Sequence, residues 1–275
     1  MNTAASDKIS AWIARQSTGL SAGARPFWLP AGPVGILIIH GYGGSIGDYR
    51  ELAHDLRARG YSILGLTVAG HGRGPTTLAG TDSADWRASV FAAARLLKQR
   101  CRQIVLLGFS FGGSLAIDYA IHAPAQLLAV VTVNTPVRYR GAVWFRRLGL
   151  RWLRLFTPYY HKPNLTTEDR RRMREIGSLD RWPIGGLLET EWFIATFVWP
   201  ALPRLRVPTL IVSTKGDPYV ATQSATVLSE RMTNSPHQLV VLSASTHRPV
   251  RDPGLRAELG RRIDQFVGPL LVKDR

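Results

Sequence analysis

The chain is poor in sulfur chemistry and short of acidic residues. Cys101 is its single cysteine, which excludes an intramolecular disulfide and a cysteine-rich zinc site. Arg100 and Arg102 flank it and could lower its pKa, but no second redox residue accompanies it, so it reads as an ordinary thiol. Long apolar runs are also missing: stretches such as Leu127 to Val133 are strand-sized, far below the ~18 residues of a membrane span. The N-terminus combines no basic start with an apolar run, so no secretory signal is read and a cytoplasmic protein is expected. Only 19 Asp and Glu face 35 Lys and Arg, a net charge of +16. That excess favours anionic surfaces in general. Without zinc-finger spacing, an RNP-type aromatic motif or a P-loop, it names no specific nucleic acid as partner.

What is present is an alternation. Gly35 to His40, Tyr61 to Leu66, Ile104 to Phe109 and Leu128 to Val133 are apolar, often β-branched runs. Helical patterns lie between them near 46 to 59, 84 to 100 and 111 to 122. After residue 208 the pattern resumes with Thr209 to Ser213, a helix near 221 to 232, Gln238 to Ser243 and a final helix near 254 to 267. Strands alternating with helices predict an α/β fold, a mostly parallel doubly wound sheet of six or more strands. The segment around Pro26 to Pro30 is a candidate for an additional strand.

Residues 137–200 interrupt the alternation, carrying five of the eight Trp, many Arg and no convincing strand. This predicts an inserted helical cap over 137–200, with 1–136 and 201–275 forming the core. At about 100° per residue, Arg146, Arg147, Arg151 and Arg154 share one face of the helix expected over 141–156. Trp144, Phe145, Leu148, Trp152, Leu153, Leu155 and Phe156 share the other. The primary expectation is that this apolar face lines a pocket over the sheet. Docking on an anionic membrane is the competing reading.

Gly108-Phe109-Ser110-Phe111-Gly112 fits the G-x-S-x-G elbow, with a strand pattern before it and a helix pattern after it. Such a serine is a weak nucleophile until a histidine, oriented by a carboxylate, lies within reach. Sites on doubly wound sheets form beyond the carboxyl ends of strands. By that criterion His54, His122, His161 and His237 fall in the wrong places, whereas His247 follows a strand by a short loop. Asp217 follows Thr209 to Ser213 in the same way. The order Ser110, Asp217, His247 matches the one expected on this fold. The backbone N–H groups of Tyr42 and Phe111 are the candidate oxyanion donors. His40 and His71 are expected to order loops rather than to transfer protons.

These residues resemble the α/β-hydrolase superfamily, and within it the bacterial carboxylesterase and monoacylglycerol lipase group. The likeness is carried by HGYGGS at 40–45, AGHGRG at 69–74, TDSADW at 81–86, GFSFGG at 108–113, the Asp217 loop, and Ser245-Thr246-His247 with Asp252 beyond. It departs at Phe111, where Met or Leu is common, at Lys215-Gly216 and at Thr246. The resemblance implies a nucleophile at Ser110, an acid at Asp217, a base at His247, and oxyanion donors at Tyr42 and Phe111. It implies a cofactor-free, metal-free serine hydrolase acting on small-molecule carboxylic esters of short to medium apolar acyl chain, monoacylglycerols included. The same triad serves a thioesterase, lactonase, C–C hydrolase or acyltransferase. A protein that binds anionic membranes on a hydrolase scaffold is the non-enzymatic alternative.

Overall fold

The computed structural model describes residues 3–122, 125–137, 143–162 and 165–272. In chain order the elements are α1 (Thr3–Ser17), β1 (Phe27–Leu29), β2 (Val34–Ile39), α2 (Arg50–Ala58), β3 (Ser62–Leu66), α3 (Pro75–Ala79), α4 (Ser83–Arg100), β4 (Gln103–Phe109), α5 (Phe111–His122) and β5 (Leu127–Val133). Then come α6 (Val143–Leu153), β6 (Tyr159–His161), α7 (Thr167–Ile176), β7 (Arg181–Pro183), α8 (Ile184–Phe193), β8 (Thr209–Thr214), α9 (Gln223–Arg231), β9 (His237–Leu242) and α10 (Pro253–Val272).

Among the described residues the main sheet has seven strands in the order β1-β3-β2-β4-β5-β8-β9. Only β1 runs antiparallel to its neighbour. Every residue of β2, β3, β5 and β8 is buried, as expected of a parallel sheet covered on both faces. Alternate side chains split between two cores. Leu37, Ile39, Ile104 and Leu106 pack with α4 and α5, while Ile36, Ile38, Val105 and Leu107 pack toward α2 and α10. The edge strand β9 is partly exposed. His237 opens that strand rather than preceding it, and so remains at the edge opposite the carboxyl ends.

Between β5 and β8 the chain leaves the sheet. The expectation of no strand there is corrected: β6 and β7 form a short antiparallel ribbon, Tyr160 facing Trp182 in register, with their rings stacked at 6.2 Å. Three-residue strands of aromatic and basic side chains carry too little periodicity to be distinguished from loop. The predicted amphipathic helix is present as α6; residues 141 and 142, and the side chains of Trp144 to Arg147, lie outside the described part. Among the described residues its apolar face does not line the cavity. Leu148, Trp152, Leu155 and Phe156 are exposed at 47%, 60%, 72% and 82%, and only Leu150 of that stretch is buried.

Candidate functional site

The site gathers where β2, β4, β5, β8 and β9 end. Ser110 follows β4 directly, before the first residue of α5, and has φ of 52°. A left-handed serine costs roughly 1–2 kcal/mol. It is held there by its N–H donating to Val133 O at 2.8 Å and its carbonyl accepting from Gly113 N at 2.9 Å. The surrounding glycines have a steric reason. A Cβ on Gly108 would stand 2.4 Å from Gly112 O, and one on Gly112 would stand 2.3 Å from Ile39 O. The elbow therefore closes against the backbone of β2, and α5 starts immediately beyond Ser110 with its first N–H groups free of intrahelical partners.

Asp217 and His247 meet at 2.6 Å, Nδ1 to Oδ2. An ionised carboxylate only accepts, so Nδ1 carries the proton and Nε2 is left as an acceptor. Asp217 is 2% exposed, and its other oxygen accepts from the backbone of Tyr219 at 2.7 Å and Val220 at 3.0 Å. Those two bonds fix the carboxylate as the Asp-Pro turn closes. Ser110 and His247 line one cavity of about 330 Å³. They are not in hydrogen-bond contact with one another among the described residues, which is common in ligand-free sites.

Tyr42 and Phe111, the candidate oxyanion donors, line the same cavity. Phe111 is the first residue of α5, where the helix dipole adds to the N–H. Gly41 passes so close that a Cβ there would be 3.0 Å from Ser110 Cβ. The loop carrying Tyr42 is fixed by two neutral histidines. His40 Nδ1 donates to Gly41 O at 2.9 Å, while its Nε2 accepts from Val68 N at 3.2 Å. His71 Nδ1 donates to Ala69 O at 3.0 Å, while its Nε2 accepts from Gly43 N at 2.9 Å. Burial lowers His40 to about 4, opposed by the Gly41 hydrogen bond. Burial first, and then neighbouring His40, lower His71 to about 3. Both imidazoles therefore serve as loop ties, as their positions predicted.

The TDSADW stretch acts through Trp86. Asp82 caps α4 reciprocally with Asp85, and Trp86 Nε1 donates to Thr81 Oγ1 at 3.0 Å. The fully buried indole meets Tyr42 and Phe111 edge-on at 5.5 and 5.3 Å. Phe111 also meets Phe193 at 5.6 Å, so the larger residue at this position completes an aromatic cluster under the oxyanion loop.

Sequence reasoning missed Asn134. Its φ is 48° at the end of β5, and its Oδ1 accepts from Thr214 N at 2.8 Å. Its Nδ2 donates to His247 O at 3.2 Å and Thr246 O at 3.4 Å. One amide thus ties β5, the end of β8 and the histidine loop. An Asn directly after a buried strand is the signal that could have identified it. Tyr219, edge-on to His247 at 5.2 Å, was missed as well. Cys101 is far from this chemistry in kind: it is buried, and that burial raises it to about 11 despite neighbouring Arg100.

No group of three or more metal-ligating side chains occurs among the described residues, and no described helix is long and apolar enough to cross a membrane.

Residues 34–254 match the model of the Hydrolase_4 family, described as serine aminopeptidase, S33. The chain is 37% identical to a thermostable monoacylglycerol lipase of Bacillus sp. over 116 residues, 42% of this chain and 46% of that protein. It is 24% identical to a carboxylesterase of Bacillus subtilis over 224 residues, 81% of this chain and 88% of that protein. The match to the lipase thus spans less than half of that protein's length. A solved structure of the metagenome-derived lipolytic enzymes LipS and LipT superposes with a TM-score of 0.78 at 22% identity, over 91% of this chain and 99% of that one. The monoacylglycerol lipase of Paleococcus ferrophilus superposes with a TM-score of 0.73 at 18% identity, over 89% and 98%.

Proposed function

The chain belongs to the Hydrolase_4 family of α/β-hydrolases, and from that premise we propose that it hydrolyses small carboxylic esters through an acyl-enzyme on Ser110. The observation that carries this reading is the Asp217–His247 pair at 2.6 Å, whose imidazole lines one cavity with a left-handed Ser110. The family description names an aminopeptidase, but the two Bacillus relatives are named monoacylglycerol lipase and carboxylesterase. An ester is accordingly the substrate class favoured.

In the proposed reaction His247 Nε2 takes the proton from Ser110 Oγ as it attacks the ester carbonyl. Asp217 holds the imidazole tautomer and stabilises the imidazolium. The N–H groups of Tyr42 and Phe111 receive the oxyanion. His247 then protonates the departing alcohol, and water activated by the same ring releases the acid and restores Ser110. Residues 137–200 act as the cap of this site. Leu165, Met173 and Leu187 from that segment add apolar wall to the cavity, which supports a short to medium acyl chain. The test is turnover of p-nitrophenyl esters of increasing acyl length by wild type and a folded Ser110→Ala variant. Loss of roughly three or more orders of magnitude is expected; an equally active variant contradicts the assignment.

A second reading concerns where the enzyme works. The exposed face of Leu148, Trp152, Leu155 and Phe156 is bordered by exposed Arg151 and Arg154. An apolar face rimmed by arginine is complementary to an anionic bilayer surface. Co-sedimentation with phosphatidylserine vesicles is expected, reduced by salt and by Phe156→Glu. Equal binding to neutral vesicles, or none to either, contradicts it.

A further inference from the structure

The cavity wall has more positive charge than its carboxylates can balance. Asp48, its side chain 2% exposed, accepts from Arg251 through two bonds, Nε to Oδ1 at 3.0 Å and Nη2 to Oδ2 at 3.2 Å. Arg248 Nη1 stands 3.5 Å from Oδ2, and Arg172 Nη2 stands 4.0 Å from Oδ1. Three guanidiniums therefore converge on one buried carboxylate. Lys162, 4% exposed, lines the same cavity. Its Nζ donates to Leu179 O and lies 4.6 Å over the Trp182 ring. Among the described residues it has no carboxylate within ion-pair distance and no second acceptor. Of the other acids nearby, Asp169 accepts through Oδ2 from Thr166 N at 3.0 Å and Thr166 Oγ1 at 2.6 Å, neutral donors that leave its charge on the wall, and Asp180 pairs with Arg170 at 3.2 Å.

The donors are as unbalanced as the charges. An ammonium has three N–H groups and a guanidinium five. Among the described residues the Arg248 guanidinium reaches Asp48 only, at 3.5 Å, and makes no hydrogen bond. Trp182, another residue of the wall, keeps its indole N–H buried without a partner among the described residues. Burial, then Arg248 and Arg251, hold the Lys162 ammonium well below the usual lysine range, against Asp48 and Asp180. Lys162 is buried and Arg248 and Arg251 are largely so, and buried cations with unused donors are costly unless something anionic completes them.

We propose that this cluster is an anion subsite of the ester cavity, and that the preferred substrate is an ester bearing a carboxylate, held by Arg248 and Lys162. One added negative charge lowers the positive excess, and the planar guanidinium fork suits a carboxylate. Arg248 and Lys162 line the same cavity as Ser110 and His247, so the subsite and the reacting bond belong to one small molecule. The inference rests on the ester-hydrolase reading, and its test separates the two.

Two substrate pairs of equal size are compared in kcat/KM. Para-acetoxybenzoate against para-acetoxybenzamide places the charge on the alcohol side; monoethyl adipate against ethyl adipamate places it on the acyl side. Wild type is expected to favour the anion roughly ten-fold or more in one pair, the yield of one charge-assisted hydrogen bond. In Arg248→Gln and in Lys162→Met that ratio falls toward one, and added salt lowers it in wild type. Equal or better use of the neutral ester in both pairs overturns the proposal, as does a preference that survives both variants. If Ser110-dependent turnover is found without an anionic preference, only the subsite falls. If no ester is turned over, the hydrolase reading falls. Calorimetric titration with adipate and benzoate then decides the subsite: binding weakened in Lys162→Met upholds it, and no binding overturns it.

Discussion

Gly41 and Gly112 lie on either side of Ser110 and make different demands. A methyl on Gly41 would meet Ser110 Cβ at 3.0 Å and Phe109 O at 3.2 Å, contacts that yield by a few tenths of an ångström. Gly41→Ala is expected to shift Ser110 and lower kcat roughly ten-fold or more while leaving the melting temperature nearly unchanged. A methyl on Gly112 would stand 2.3 Å from Ile39 O and 2.6 Å from His40 O, both backbone. Gly112→Ala is expected to destabilise the fold by about 1–3 kcal/mol or more, read as a lower denaturation midpoint. Ester kinetics and chemical denaturation of the two variants separate these effects. At Asp217, replacement by Asn keeps the Tyr219 and Val220 bonds to the side-chain oxygen but no longer selects the His247 tautomer. A loss of about 10⁴ in kcat is expected, as when a triad carboxylate becomes an amide.

At the scale of elements, the histidine loop is only as well placed as Asn134 makes it. Asn134→Ala removes the bonds to Thr214, Thr246 and His247 and puts a Cβ-bearing residue without a polar side chain at φ 48°. Destabilisation of about 2–3 kcal/mol is expected, with a fall in kcat greater than any rise in KM; wild-type kinetics in this variant would contradict the tie. The alternation of runs made the sheet legible, because fully buried parallel strands such as β2 and β5 are uninterrupted apolar stretches. Ser110, Asp217 and His247 could be singled out because Ser110 directly follows β4 while Asp217 and His247 lie one short loop beyond β8 and the partly exposed β9. Asn134 was hidden because a polar residue after a strand is also an ordinary turn former. The cationic cluster was hidden for another reason: Asp48, Lys162, Arg172, Arg248 and Arg251 come from widely separated segments, and packing of α7 and of the turn before α10 on the segment before α2 brings the arginines to Asp48.

For the whole molecule, two buried histidines set an acid limit. His40 and His71 are neutral when folded, at about 4 and about 3 against an ordinary 6.5. Below 6.5 the unfolded chain takes up protons that the folded chain refuses, so stability falls as pH drops from about 6.5 toward about 4. At roughly 1.4 kcal/mol per pH unit and histidine, the loss by pH ~5 is about 2 kcal/mol for each. Urea midpoints at pH ~7.5 and ~5 are expected to differ less in His71→Gln than in wild type; an unchanged difference contradicts the linkage. The charge of +16 favours anionic surfaces in general, and in the proposed membrane reading exposed Leu148, Trp152, Leu155 and Phe156 would add apolar contact. Neither property defines the chemistry, which the proposed function assigns to Ser110. The most direct measurement is intact mass after treatment with a fluorophosphonate, in wild type, His247→Ala and Ser110→Ala. One adduct, mapped to Ser110, slowed by orders of magnitude in His247→Ala and absent in Ser110→Ala, is the predicted result. An unlabelled wild type, or an adduct that persists without Ser110, contradicts the account.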